Sequence, residues 1–231
     1  MATAIVPRVS TLTITGLVVG IAVADVVANV LVPEPAKVPV KLGILILFVV
    51  WARRSVRLSW AELGLGRAHL LAGLRLGGLA ALIVAAGLAL LVLIPGARSF
   101  LESSDVAADS GARRVLMPLV IIPLGTALFE ETIFRGVLLG VLLRSSTRRA
   151  ALVVSSVLFG LWHLPPALDD ASGEGLAATV GVVVGTIAVT TVAGLLFGYL
   201  RLRAESLVAP LLAHTATNSF AYVAAVVVLQ L

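Results

Sequence analysis

Two adjacent carboxylates, Glu130 and Glu131, and the guanidinium of Arg135 fall inside an apolar run from Val115 to Leu143. A charged side chain at bilayer depth costs at least about 2.5 kcal/mol on insertion scales, so such residues are rare and mark function. Two further polar sets sit in other apolar runs: His163 in FGLWHLP, and His214 with Asn218 in HTATN. Together these are the parts needed to hydrolyse a peptide bond without a covalent intermediate. A glutamate beside a histidine takes a proton from water and passes it to a leaving group. A second histidine and an asparagine amide donate hydrogen bonds to the developing oxyanion. The same glutamate, Glu130, with His163 and His214 could instead hold a divalent metal such as zinc, leaving a position open for water. The HExxH helix of zinc proteases is absent. Without cysteine the chain has neither a thiolate metal site nor a cysteine nucleophile. No serine stands in a GxSxG elbow. The residues leave both water-activating mechanisms open.

Helical spacing sorts the roles. Glu131 and Arg135 are four apart with the acid first, the better orientation for an ion pair, and read as a structural clamp. Glu130 is rotated from Glu131 by about 100° and must find its partner on another helix or in water, as a general base would. Phe159 lies four residues before His163, on the same face. His214 and Asn218 are also four apart and project together. Taken singly, these polar residues could merely fix helix packing or hydrogen-bond across helices. Their convergence from separate helices favours chemistry. His69, in a basic loop, reads as solvated surface.

The elements that must hold these residues are membrane helices. Of 231 residues 60% are hydrophobic and 13% charged, against about 45–50% and about 25% in soluble domains. Apolar runs approach or exceed the roughly 20 residues of a spanning helix, and none has the alternation of a barrel strand. The expected fold is an all-α polytopic transmembrane bundle of about seven segments: Ser10–Val32, Pro39–Trp51, Leu70–Ile94, Val115–Leu143, Ala150–Leu164, Thr179–Leu200 and Leu207–Leu229. The second and fifth are short. The fifth would leave His163 near one membrane face, with His214 in the opposite half, so one cavity holding both requires a fifth helix that lies deeper or tilts, through a different boundary near Ala150 or a slanted cleft. The net charge of +5 comes from arginines in short loops rather than from a base-stacking surface, so nucleic acid is not a partner. Membrane lipid is, and so is a peptide or membrane-associated protein substrate. By the positive-inside rule the arginines after segments two, four and six put the N-terminus in the cytoplasm and the C-terminus outside a cytoplasmic membrane. Lys37, Lys41, Arg113 and Arg114 run against that pattern.

Smaller features have plainer readings. Ala22-Val23-Ala24 before Asp25 resembles a signal cleavage site, but the apolar run continues to Val32, so an uncleaved span is expected. Asp25 and Asn29 then mark its interfacial end. Arg53 to His69 is either a short surface helix or a basic loop. Gly181 with Gly185, and Gly194 with Gly198, let a neighbouring helix approach.

FEETIFRG resembles the EExxxR motif of the CPBP family of intramembrane proteases, which includes the type II CAAX prenyl proteases. FGLWHLP resembles its FxxxH motif, and LVAPLLAHTATN the third, HxxxN. The three occur in the family's order, each on its own helix. The resemblance implies one membrane-embedded domain, residues 1–231, whose motif-bearing core is 115–229. It implies Glu130 as the water-activating glutamate with His163 beside it, His214 and Asn218 at the oxyanion, and Glu131 with Arg135 bracing the site. Family members are described both as metalloproteases and as metal-free glutamate proteases, so the resemblance leaves the cofactor open; a metal would fall to Glu130, His163 and His214. Two other functions fit parts of the pattern: a non-catalytic immunity or scaffold protein retaining the fold, and a small proton-coupled transporter. The absence of repeated halves weighs against the transporter.

Overall fold

The computed structural model describes residues 8–102, 104–109 and 111–231, and among these the regular structure is helical throughout. Among the described residues seven helices are long and apolar enough to cross a membrane: Thr11–Leu31, Glu34–Arg54, Arg67–Leu93, Ala112–Leu143, Arg148–Asp170, Leu176–Ala204 and Val208–Val228. We call them the first to seventh spans. The protein is an all-α, multi-pass membrane protein, as its hydropathy predicts.

Neither of the two spans expected to be short is short. The second starts at Glu34, behind Pro33, and carries Pro39 inside it. A proline in the second turn removes one backbone bond but does not end the helix. The fifth is a helix from Arg148 to Leu161, a break at Trp162 and His163, and a further helix from Leu164 to Asp170. Pro165 and Pro166 open that second piece, because proline is tolerated where the first-turn N–H groups have no acceptor. His163 therefore sits at an internal break rather than at a helix end.

The fourth span is the centre of the bundle. Phe129, Ile133, Phe134, Val137, Leu138 and Val141 are fully buried among residues of the loop after the second span and of the fifth span. By contrast Leu74, Leu79, Leu82, Ile83, Leu90 and Leu93 of the third span are exposed. Such a surface suits lipid, where apolar side chains need no cover. The third span packs on the seventh, the fifth on the sixth, and the second on the fourth. Wide π-type turns at Met117–Leu128 and Thr132–Leu138 flank an α-helical Phe129–Glu131. Pro118 and Pro123 remove donors from the first of these stretches, and π-bulges in helices often accompany functional sites.

Residues 55–66 form neither a surface helix nor a free basic loop. They fold as a string of tight turns that buries Leu58 and Leu63 completely against the fourth span. Ser59 and Glu62 cap one another: Ser59 N donates to Glu62 Oε2 at 2.6 Å, and Glu62 N to Ser59 Oγ at 3.1 Å. Arg144 then grips Glu62 with Nε and Nη2, at 2.7 and 2.9 Å, and Arg201 Nη2 donates to the Glu62 carbonyl at 2.8 Å. Burial alone would raise the Glu62 carboxyl, but the Arg144 and Ser59 donors outweigh it and hold it down to about 2. A depressed carboxyl contributes stability above its ordinary value and loses it as pH falls through the folded value. The difference in melting temperature between wild type and Glu62→Gln should therefore persist down to the ordinary value of 4.5 and disappear towards pH 2. A difference that faded well above pH 4.5 would contradict the clasp.

The cations that break the charge pattern are not free. Lys37 pairs with Glu34, Arg113 pairs with Asp109, Arg114 Nε donates to the Asp109 carbonyl, and Lys41 is buried. The paired-glycine reading holds for one pair only. A Cβ on Gly194 would stand 3.1 Å from the Ser156 backbone, and one on Gly198 would meet the tip of the Leu152 side chain, so both lie where the fifth span approaches, Gly194 against backbone. Gly181 and Gly185 have nothing within 4 Å, and close helix approach does not explain them.

Candidate active site

The α-helical turn Phe129–Glu131 aims its two carboxylates at different partners. Glu131 is fully buried, and its Oε1 accepts from Arg135 Nη1 at 3.1 Å and from His214 Nδ1 at 2.8 Å. The sequence assigned Glu131 to Arg135 alone; it also orients the histidine of the seventh span. Arg135 donates a second bond, from Nη2 to the Gly194 carbonyl at 3.2 Å, and lies over the Phe159 ring with 4.0 Å to the centroid. One guanidinium thus ties the fourth, fifth and sixth spans together.

Glu130 finds its partner on another helix. Trp162 Nε1 of the fifth span donates to Glu130 Oε1 at 3.2 Å, while Oε2 is buried and accepts no hydrogen bond. His214 Nε2 stands 3.8 Å from that free oxygen. Trp162 was missed in the sequence reading. Its signal was an indole donor next to His163, and a buried indole N–H in lipid must find an acceptor.

Hydrogen bonding places the Nδ1 protons. His163 Nδ1 lies 2.8 Å from the Phe159 carbonyl, which can only accept. Nδ1 therefore carries a proton, which leaves Nε2 as the ring atom turned to other partners. His214 Nδ1 donates to the Glu131 carboxylate, and its Nε2 lies 3.1 Å from Asn218 Nδ2, which donates to it. Asn218 keeps a second amide hydrogen for another acceptor.

Phe159 gathers the two histidines. Its ring meets His163 edge-on at 4.8 Å and His214 at 6.0 Å, and Phe197 stacks on His214 at 4.8 Å. Glu130, Trp162 and His163 line a cavity of about 560 Å³ whose wall includes Asn29, Pro165, Pro166 and Asp169. Asn218 reaches this group through His214.

Both nitrogens of His214 are engaged by Glu131 and Asn218. Among the described residues no three histidine, aspartate or glutamate side chains are grouped to hold an ion.

Residues 112–220 match the model of a family described as Rce1-like, type II CAAX prenyl endopeptidase Rce1-like. No curated protein and no solved structure matches the chain. The matched segment runs from the start of the fourth span into the seventh and contains Glu130, Glu131, Arg135, Phe159, His163, His214 and Asn218. The motif residues fall inside the matched segment, and over that segment the chain is similar to the type II CAAX prenyl endopeptidases, consistent with its resemblance to the CPBP family.

Proposed function

We propose that this protein is an intramembrane endopeptidase in which Glu130 activates a water molecule to hydrolyse a peptide bond. The observation that carries the reading is the free Oε2 of Glu130, a buried carboxylate oxygen without a donor in a group that lines a cavity. Glu130 takes a proton from water as the water oxygen bonds to the scissile carbonyl carbon. The proton then passes to the amide nitrogen, and the C–N bond breaks. His163 serves as the neighbouring proton acceptor when its Nε2 is unprotonated. Asn218 offers its second amide hydrogen to the oxyanion, and His214 joins it as a donor when its Nε2 is protonated. Glu131 and Arg135 hold His214 in place. We place the N-terminus in the cytoplasm and the C-terminus outside the cytoplasmic membrane, on the arginines that follow the second, fourth and sixth spans.

Terminus profiling of membranes from cells making wild type or Glu130→Gln tests this function. Peptides whose cleaved ends vanish with Glu130→Gln would identify the substrates. Identical profiles would favour a non-catalytic scaffold instead.

Two further results are expected. Trp162→Phe removes the donor to Glu130 Oε1, and a hydrogen bond to a charged group is worth about 1.5–3 kcal/mol. Cleavage should slow about ten- to hundred-fold in the folded variant, and an unchanged rate would remove Trp162 from the site. Exhaustive chelation should leave activity intact, since we propose no metal step. Stoichiometric zinc, lost together with activity in His163→Ala and His214→Ala, would make these residues ligands.

A further inference from the structure

The first two spans lie outside the matched segment, yet they bring buried charge to the candidate base. Asp25 is only 7% exposed, and Asn29 Nδ2 donates to its Oδ1 at 2.6 Å. Packing turns this end of the first span inward: Asn29 lines the same cavity as Glu130, and Asp25 is within electrostatic reach of His163, Glu130 and Lys41. Lys41 of the second span is 8% exposed, with its ammonium over the ring of Phe129, 5.6 Å from the centroid. It makes no ion pair among the described residues, whereas its neighbour Lys37 is paired with Glu34. The carboxylates within its electrostatic reach are Glu130, Glu34 and Asp25.

The charges can be matched. Glu131 and Arg135 neutralise each other by direct contact. Glu34 is exposed at a helix end and already holds Lys37. Two buried carboxylates from different spans, Asp25 and Glu130, remain; His214 Nε2 stands 3.8 Å from Glu130, and the one buried ammonium, Lys41, lies over the ring of Phe129, the residue before Glu130. An uncompensated charge at this depth is strongly unfavourable. We propose that Lys41 is the shared counter-ion of Asp25 and Glu130 and a positioning residue for the Glu130 carboxylate, so that the first two spans complete the site. The positioning role rests on Glu130 acting as the base; the counter-ion role does not.

Melting of the full-length protein in detergent tests the counter-ion through double-mutant cycles. K41M should lower the midpoint by at least about 4 °C. Both K41M/D25N and K41M/E130Q should recover more than half of that loss, and K41R should melt like wild type. Additive losses in the two cycles, or a K41M protein as stable as wild type, would overturn the proposal. Cleavage of a substrate found by terminus profiling tests the positioning role. K41M/D25N should cleave at least ten-fold more slowly with KM unchanged, while K41R keeps the wild-type rate. A wild-type kcat in K41M/D25N would reduce Lys41 to a structural cation. If wild type cleaved nothing, the proteolytic reading would fail, and the melting cycles would still decide the counter-ion.

Discussion

Glu130→Gln should lower cleavage by about 10²–10⁴-fold, the usual loss of a general base, while the protein folds and inserts normally. The amide keeps the shape of the side chain and can still accept from Trp162 Nε1, whose bond goes to Oε1. The change falls on Oε2, which has no donor in the resting site. It also removes one carboxylate from the vicinity of His214 Nε2, 3.8 Å away, so folding should not suffer from unbalanced charge. Near wild-type turnover in Glu130→Gln would sink the assignment of this residue as the base.

Arg135→Ala should cost the fold rather than the chemistry. Arg135 is 1% exposed and Glu131 is fully buried, with Glu131 Oε2 already lacking a donor. Removing the guanidinium leaves that carboxylate with His214 alone, and breaking a buried pair typically costs about 3–5 kcal/mol. The bond to the Gly194 carbonyl and the contact over Phe159 go with it. The expected result is a collapse in folded yield and a much lower melting temperature in detergent. Arg135→Lys should recover only part, because an ammonium lacks the planar fork that reaches Glu131 and Gly194 together. Full yield and wild-type melting for Arg135→Ala would show that Arg135 is not the clamp.

The motif residues were legible in the sequence because ionisable groups inside apolar runs stand out, and the 3.6-residue period pairs Glu131 with Arg135 and His214 with Asn218. Contacts between helices were not legible. Nothing in a linear spacing says that His214 Nδ1 meets Glu131, or that Trp162 turns its N–H to Glu130. Hydropathy gives approximate depth and leaves rotation unspecified, so Asp25 and Asn29 read as an interfacial helix end and Lys41 as a cation against the charge pattern, although Asp25 and Lys41 are buried and Asn29 lines the cavity. The extent of the second and fifth spans was misjudged because Pro39 and the Pro165-Pro166 pair looked like boundaries. Proline near a helix start costs few backbone bonds. The turns of residues 55–66 escaped notice because their arginines dominate the composition, while it is Leu58 and Leu63 that anchor them.

The claim that Glu130 activates water, rather than attacking the substrate itself, is tested most directly by a single turnover in oxygen-18 water. Direct hydrolysis places the heavy oxygen in the new C-terminal carboxylate of the product in the first turnover and leaves Glu130 unlabelled. An attack by Glu130 would form an acyl–glutamate anhydride, and water opening it at the glutamyl carbon would leave the label on the enzyme. Mass spectrometry of the peptide containing Glu130 and of the released product reads both positions, and hydroxylamine added during turnover traps any anhydride, which direct hydrolysis does not form. Label confined to the product is the predicted result, and oxygen-18 in Glu130 after one turnover would contradict the mechanism.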